Sequence, residues 1–120
     1  MRYSTCRYGI TTTVQLSARS SRVSVVGVDG NGASADITPS EQVTRVVISV
    51  PAGHLPTRLR RDLMDAVFEL PGLRSPTVLA ASIPLGDMEL LTEFRRRCDH
   101  VSTRAAGATC LVDASIATDR

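Results

Sequence analysis

Val43-Thr44-Arg45-Val46-Val47-Ile48-Ser49-Val50 runs into Pro51-Ala52-Gly53-His54, and a stripe of Leu55, Leu59, Leu63 and Val67 follows at helical spacing. The first eight residues are mostly β-branched and apolar, which fits a central strand covered on both faces. Ala66 and Leu70 widen the stripe into the buried side of a helix. Pro56 suits the first turn of that helix, and Pro71-Gly72 stops it. This strand–turn–helix unit sets the reading of everything around it.

Downstream the pattern repeats. Thr77–Ile83 predicts a second strand, and Asp87 to about Cys98 predicts a second helix. Met88, Leu91, Phe94 and Cys98, with Leu90, make its apolar side, while Asp87 and Glu89 start it and Arg95-Arg96-Arg97 end it. Those charges match the helix dipole at both ends. Val101–Ile116 reads as a third strand, with Gly107 as a bulge or turn inside it. The expected fold is therefore α+β or α/β, a small sheet of three to five strands with two helices on one face and a core order β-α-β-α-β. The opposite face of such a sheet needs cover from the N-terminal strands or from a second subunit.

Upstream, Thr12, Val14, Leu16 and Ala18 alternate with polar residues, and Val23, Val25 and Val28 follow a Ser20-Ser21 break. This is a hairpin or one broken strand. Asp29-Gly30-Asn31-Gly32 then marks a turn or linker. Residues 1–40 accordingly read as an N-terminal tail with a strand or hairpin and a Gly-rich linker, and residues 41–120 as a compact domain.

Composition narrows the function. At 120 residues, 42% hydrophobic and 22% charged, the chain has the balance of one small globular domain. No apolar run approaches the about 20 residues that span a bilayer. Met1 to Arg7 carries charge with no apolar segment behind it, unlike a secretory signal. All 14 basic residues are arginines, so chemistry that needs a lysine amine is excluded. Trp is absent and the four other aromatics are Tyr3, Tyr8, Phe68 and Phe94. Base stacking on a sheet of rings is therefore not expected. Arginines 2, 7, 19 and 22 against Asp29 and Asp36 leave residues 1–40 at +2, while residues 41–120 balance to zero. A neutral folded part argues against a nucleic-acid partner.

Two turns echo each other. Ser49-Val50-Pro51-Ala52-Gly53-His54-Leu55 and Ser82-Ile83-Pro84-Leu85-Gly86-Asp87-Met88 share Ser, Pro and Gly, and both leave a strand to open a helix. With parallel strands both turns lie at the carboxyl end of the sheet, where ligands of α/β folds bind. His54 and Asp87 then hold equivalent positions as an acid–base pair. Arg58, Arg60 and Arg61 also crowd the start of the first helix, against its dipole. An anion held by free helix N–H groups with Gly53, His54, Arg58, Arg61, Gly86 and Asp87 would relieve this. Surface pairs Arg58–Asp62 and Arg61–Asp65 at i,i+4 would offset it too, and a charge run on a helix is usually a solvated face.

The remaining reactive side chains are bland. Cys98 and Cys110 fall on apolar patterns, Cys6 stands alone, and no disulfide framework or zinc spacing emerges. A reducing cytoplasmic setting suits them. Asp29-Gly30-Asn31-Gly32 lacks the ligand series of a calcium loop. No nucleophile elbow, zincin motif or dinucleotide fingerprint is present, and no metal or cofactor is called for. The reading is a small non-enzymatic binding or regulatory module, homodimeric, with an anion site at the helix N-termini. The alternative is a small enzyme acting on a phosphorylated or anionic molecule through His54 and Asp87. Arg-mediated nucleic-acid binding ranks third.

Overall fold

The computed structural model describes residues 1–51, 55–70, 73 and 77–116. Its strands are β1 (Arg2–Arg7), β2 (Ile10–Leu16), β3 (Ser21–Val26), β4 (Gly32–Thr38), β5 (Val43–Ser49), β6 (Thr77–Pro84), β7 (Asp99–Ala106) and β8 (Thr109–Ile116). Helix α1 (Thr57–Phe68) joins β5 to β6, and α2 (Met88–Arg97) joins β6 to β7. All eight strands form one mixed sheet in the order β1-β2-β3-β4-β5-β6-β8-β7.

This corrects the expected sheet of three to five strands with a β-α-β-α-β core. Residues 2–38 supply four strands of an antiparallel meander, which grows the sheet sideways from β5 rather than covering its second face. Tyr8 and Gly9, both at positive φ, close the two-residue turn between β1 and β2, the geometry that matches strand twist. The stretch read as one last strand is two. Gly107, at φ +62, takes the first of two turn positions between Ala106 and Thr109. The returning strand β8 then enters between β6 and β7. Among the described residues only β5 and β6 are parallel, and every other pairing is antiparallel.

Burial falls on one side of the sheet. Val14, Val23, Ala35 and Ile48 form one buried row across β2 to β5, and Ile37, Val46, Ala81 and Val112 another across β4 to β8. Helix α1 lies against β2, β3 and β4, and α2 beside α1 and against β7. Leu59, Leu63, Met64 and Val67 face inward from α1, and Leu90, Leu91 and Phe94 from α2. Phe68 and Phe94 meet edge to face at 6.0 Å between ring centres.

Charges lock the two helices together. Glu93 of α2 is buried and pairs with Arg97 and, at 3.2 Å, with Arg96. Arg61 of α1 reaches the same carboxylate at 4.0 Å, and Arg97 returns the link to Asp65 of α1. Arg60 and Arg61 at the start of α1 thus find their counter-charges at α2, not on their own helix. Burial pushes the Glu93 carboxyl up, but the hydrogen bond from Arg97 and the charges of Arg97, Arg96 and Arg61 outweigh it. The net result is a carboxyl held below the ordinary carboxylate range.

Two outcomes follow from this packing. A depressed carboxylate stabilises the fold above its unfolded pKa, and that contribution is lost as pH falls through the folded value. Glu93→Gln should therefore cost about 1.5–3 kcal/mol at neutral pH, the usual worth of hydrogen bonds to a charged group. The loss should shrink in acid, read by denaturant unfolding across pH. Deleting residues 1–38 removes Val14, Val23, Val25 and Ile37 from beneath α1. At about 1.5–3 kcal/mol each this approaches the whole stability of a small domain, so calorimetry should show no cooperative unfolding in the truncated chain.

Candidate functional site

The parallel pair β5 and β6 is where the sheet opens. Partners run from Val43↔Val78 to Val47↔Ser82 and then stop. Beyond that point β5 keeps β4 on its outer edge, through Ala35↔Ile48 and Ser34↔Ser49. Strand β6 keeps β8, through Ile83↔Cys110 and Pro84↔Thr109. The inner edges of both strands are left facing each other without a strand partner among the described residues. Pro84, which has no N–H to donate, ends β6, and Pro51 follows β5.

A cleft of about 430 Å³ fills this gap. Its walls are Val47 to Ser49 of β5 with Val50 and Pro51 after it, Ser82 to Pro84 from β6, and Ala108 and Thr109 from the β7–β8 hairpin. The only polar side chains among them are the hydroxyls of Ser49, Ser82 and Thr109. A second hollow of about 490 Å³ adjoins it, sharing Val50, Pro51 and Pro84. That hollow continues past Leu55 to the turn Leu85-Gly86-Asp87 and to Met88, Glu89 and Arg60.

Arg60 ties the two strand–helix turns together. Its Nε donates to both Asp87 carboxylate oxygens at 3.1 Å, and Nη2 donates to Oδ2 at 3.0 Å. Nη1 donates to the Leu55 carbonyl and to Glu89 Oε2. Asp87 also caps α2, its Oδ1 accepting from the Leu90 N–H at 3.1 Å. The side chains of Arg60 and Asp87 are 14% and 8% exposed. Gly86 holds φ +86, a conformation that the turn demands and a side chain would resist.

Of the residues singled out from sequence, Gly86 and Asp87 line this second hollow. Gly53 and His54 lie outside the described residues. Arg58 stacks on Tyr8, 4.2 Å from the ring centre, at the β1–β2 turn. Arg61 turns to Glu93. Sequence reasoning passed over Arg60, whose clue is its place beside Leu59 on the margin of the apolar stripe. It also passed over Ser49 and Ser82, although both open the echoed segments and stand on the two strands that part.

Cys6 and Cys110 carry free thiols, and among the described residues no cluster of His, Cys, Asp or Glu could hold a metal ion. No described helix is long and apolar enough to cross a membrane. Neither a protein-family model nor the sequence of a curated protein matches the chain. In fold it is similar to a crystal structure titled "putative acetyltransferase" from Sphaerobacter thermophilus DSM 20745, at TM-score 0.59. The two share 11% sequence identity, and the match covers 96% of this chain and 98% of the other. At that identity the likeness is one of fold.

The Arg60–Asp87 pair should behave as a structural unit. Asp87→Ala removes a cap and strands a mostly buried guanidinium, so it should cost about 2–5 kcal/mol in denaturant unfolding. Arg60→Ala should cost a comparable amount. The double variant should lose clearly less than the sum of the two, the signature of a shared interaction.

Proposed function

We propose that this chain is a small-ligand binding module, homodimeric and cytoplasmic, whose ligand lies in the cleft between β5 and β6. One observation carries the reading: two neighbouring strands part while each keeps its outer partner, so two unpaired strand edges face one gap. Backbone N–H and C=O groups on such edges recognise an extended arm that carries amides, as strand addition does elsewhere. Val47, Ile48 and Val50 offer apolar contact along the arm, and the three hydroxyls offer polar contact. Among the described residues the first cleft has no titratable side chain; in the second, Asp87 is engaged by Arg60 and the α2 cap, and Glu89 by Arg60 and the Thr57 hydroxyl. That favours binding over general acid–base catalysis.

The chemistry of the ligand has two parts on this reading. An amide-bearing arm lies between the strands, and an anionic end lies near the start of α1. There Pro56 provides no side-chain cap and the first turn holds no acid. The fold likeness to a protein titled an acetyltransferase favours a second reading in which the arm carries an acyl thioester and the chain transfers it. The two readings share the site and differ in turnover.

The test is a titration with acetyl-coenzyme A, which has both an amide-bearing arm and phosphates. The thermal midpoint should rise with the logarithm of ligand concentration above its dissociation constant. Ser49→Phe, which fills the cleft, should abolish the rise while the protein stays folded. A midpoint no higher than in chloride of equal ionic strength, or a rise that survives Ser49→Phe, would sink the site. Release of free thiol in the presence of amine acceptors establishes the enzymatic reading, and binding without release the non-enzymatic one.

A further inference from the structure

The face of the sheet opposite the helices has no covering layer among the described residues. At its centre Val47 and Val78 are 47% and 52% exposed, flanked by Val43, Ala80 and Leu111. The charges around this patch are ordered by strand register. One row reads Asp36 on β4, Val47 on β5, Ser82 on β6, Leu111 on β8 and Arg104 on β7. The next reads Thr38, Arg45, Ala80, Asp113 and Ser102 on the same strands. Both rows are centred on β6, and in both the charge on one side of β6 is opposite in sign to its counterpart on the other.

We propose that this face is the interface of a homodimer, two copies packing sheet to sheet about a two-fold axis that runs along β6. Such an axis exchanges the two sides of β6, laying β5 over the partner's β8 and β4 over the partner's β7. Arg45 then meets the partner copy's acid at position 113, and Asp36 meets the partner copy's arginine at position 104. Each contact occurs twice, as an isologous interface requires. Val47 faces a second Leu, while Ala80, Ser82 and Val78 face their own copies at the axis. The about 30° between stacked twisted sheets tilts the strands without changing this pairing. No ion pair within the chain engages Arg45, Arg104 or Asp113 among the described residues, and Asp36 has only Arg22 at 3.9 Å. A copy of the same chain is the one partner whose charge pattern this face matches by symmetry, and opposed charges at these positions set register and reject misaligned pairings.

The proposal deepens the homodimer part of the function proposed above, and its outcome is separable from that of the ligand site. Val47 and Ser82 belong both to the cleft wall and to this face, but neither Arg45 nor Asp113 lines the cleft, so association and ligand binding are read on different variants. The experiment is sedimentation of the full chain and two charge reversals, R45D and D113R, with circular dichroism as the check on folding. Both positions are exposed, so the fold should be kept. The wild type should be a dimer at high micromolar concentration. Each reversal alone places like charges opposite each other twice and should weaken the dimer by about tenfold or more. Mixing R45D with D113R should restore association as a one-to-one heterodimer, since each variant then offers what the other lacks. The double variant R45D/D113R should self-associate again. A monomeric wild type overturns the proposal. So does a dimer indifferent to either reversal, or a pair of reversals that do not rescue each other.

Discussion

The pairing of β5 with β6 is the constraint on which the rest of the architecture depends. It is the single parallel contact in the sheet, and parallel strands need a long crossover, here supplied by α1. That crossover places α1 over the strands on the N-terminal side of β5, where its leucines meet Val23, Val25, Ala35 and Ile37. Strand β4 closes on the free edge of β5, and β8 on the free edge of β6. Strand β6 pairs over eight residues with β8 but over only five with β5, and β5 pairs over five with β4 as well. The pair can part at its carboxyl end without loss of the sheet, and the cleft is the result.

Electrostatics then decide how the helices meet. Arginines at the start of α1 oppose its dipole, and the structure offsets them across the helix interface. Arg60 is held by Asp87 and Glu89, and Arg61 faces Glu93. Buried pairs of this kind add little net stability against apolar packing, but they penalise any other alignment of the helices by stranding a charge. The arrangement fixes the two strand–helix turns side by side, which makes the cleft and the Arg60 hollow continuous.

The uncovered face is the other consequence of the topology. Four N-terminal strands joined by short turns extend a sheet edge; they have no means of folding back over it. The apolar centre of the face therefore stays open, ringed by charges whose signs invert across β6. A monomeric sheet with one solvated face ordinarily alternates polar and apolar residues strictly. Val47, Val78 and Leu111 depart from that pattern at the middle of the sheet.

Local order was legible in the residues. Asp87, the arginines at 95–97 and the apolar stripe define α2 by capping, dipole and period, and these act within one or two turns. The β-branched run at 43–50 marks a central strand for a similar reason, since side-chain crowding acts locally. The echo of Ser49-Val50-Pro51 in Ser82-Ile83-Pro84 pointed to the place where the cleft lies, because both segments end a strand in the same way. Strand count and order were not legible. Residues 101–116 carry the same alternation as one bulged strand or as two, and only pairing with β6 shows that Gly107 turns the chain back. Residues 1–40 carry a period too weak to reveal what they pair with. Which arginine is held at the site was also beyond the sequence: Arg58, Arg60 and Arg61 are alike in type and neighbours in position. A rotation of about 100° per residue separates their directions on the helix, and the packing of α1 on α2 selects Arg60.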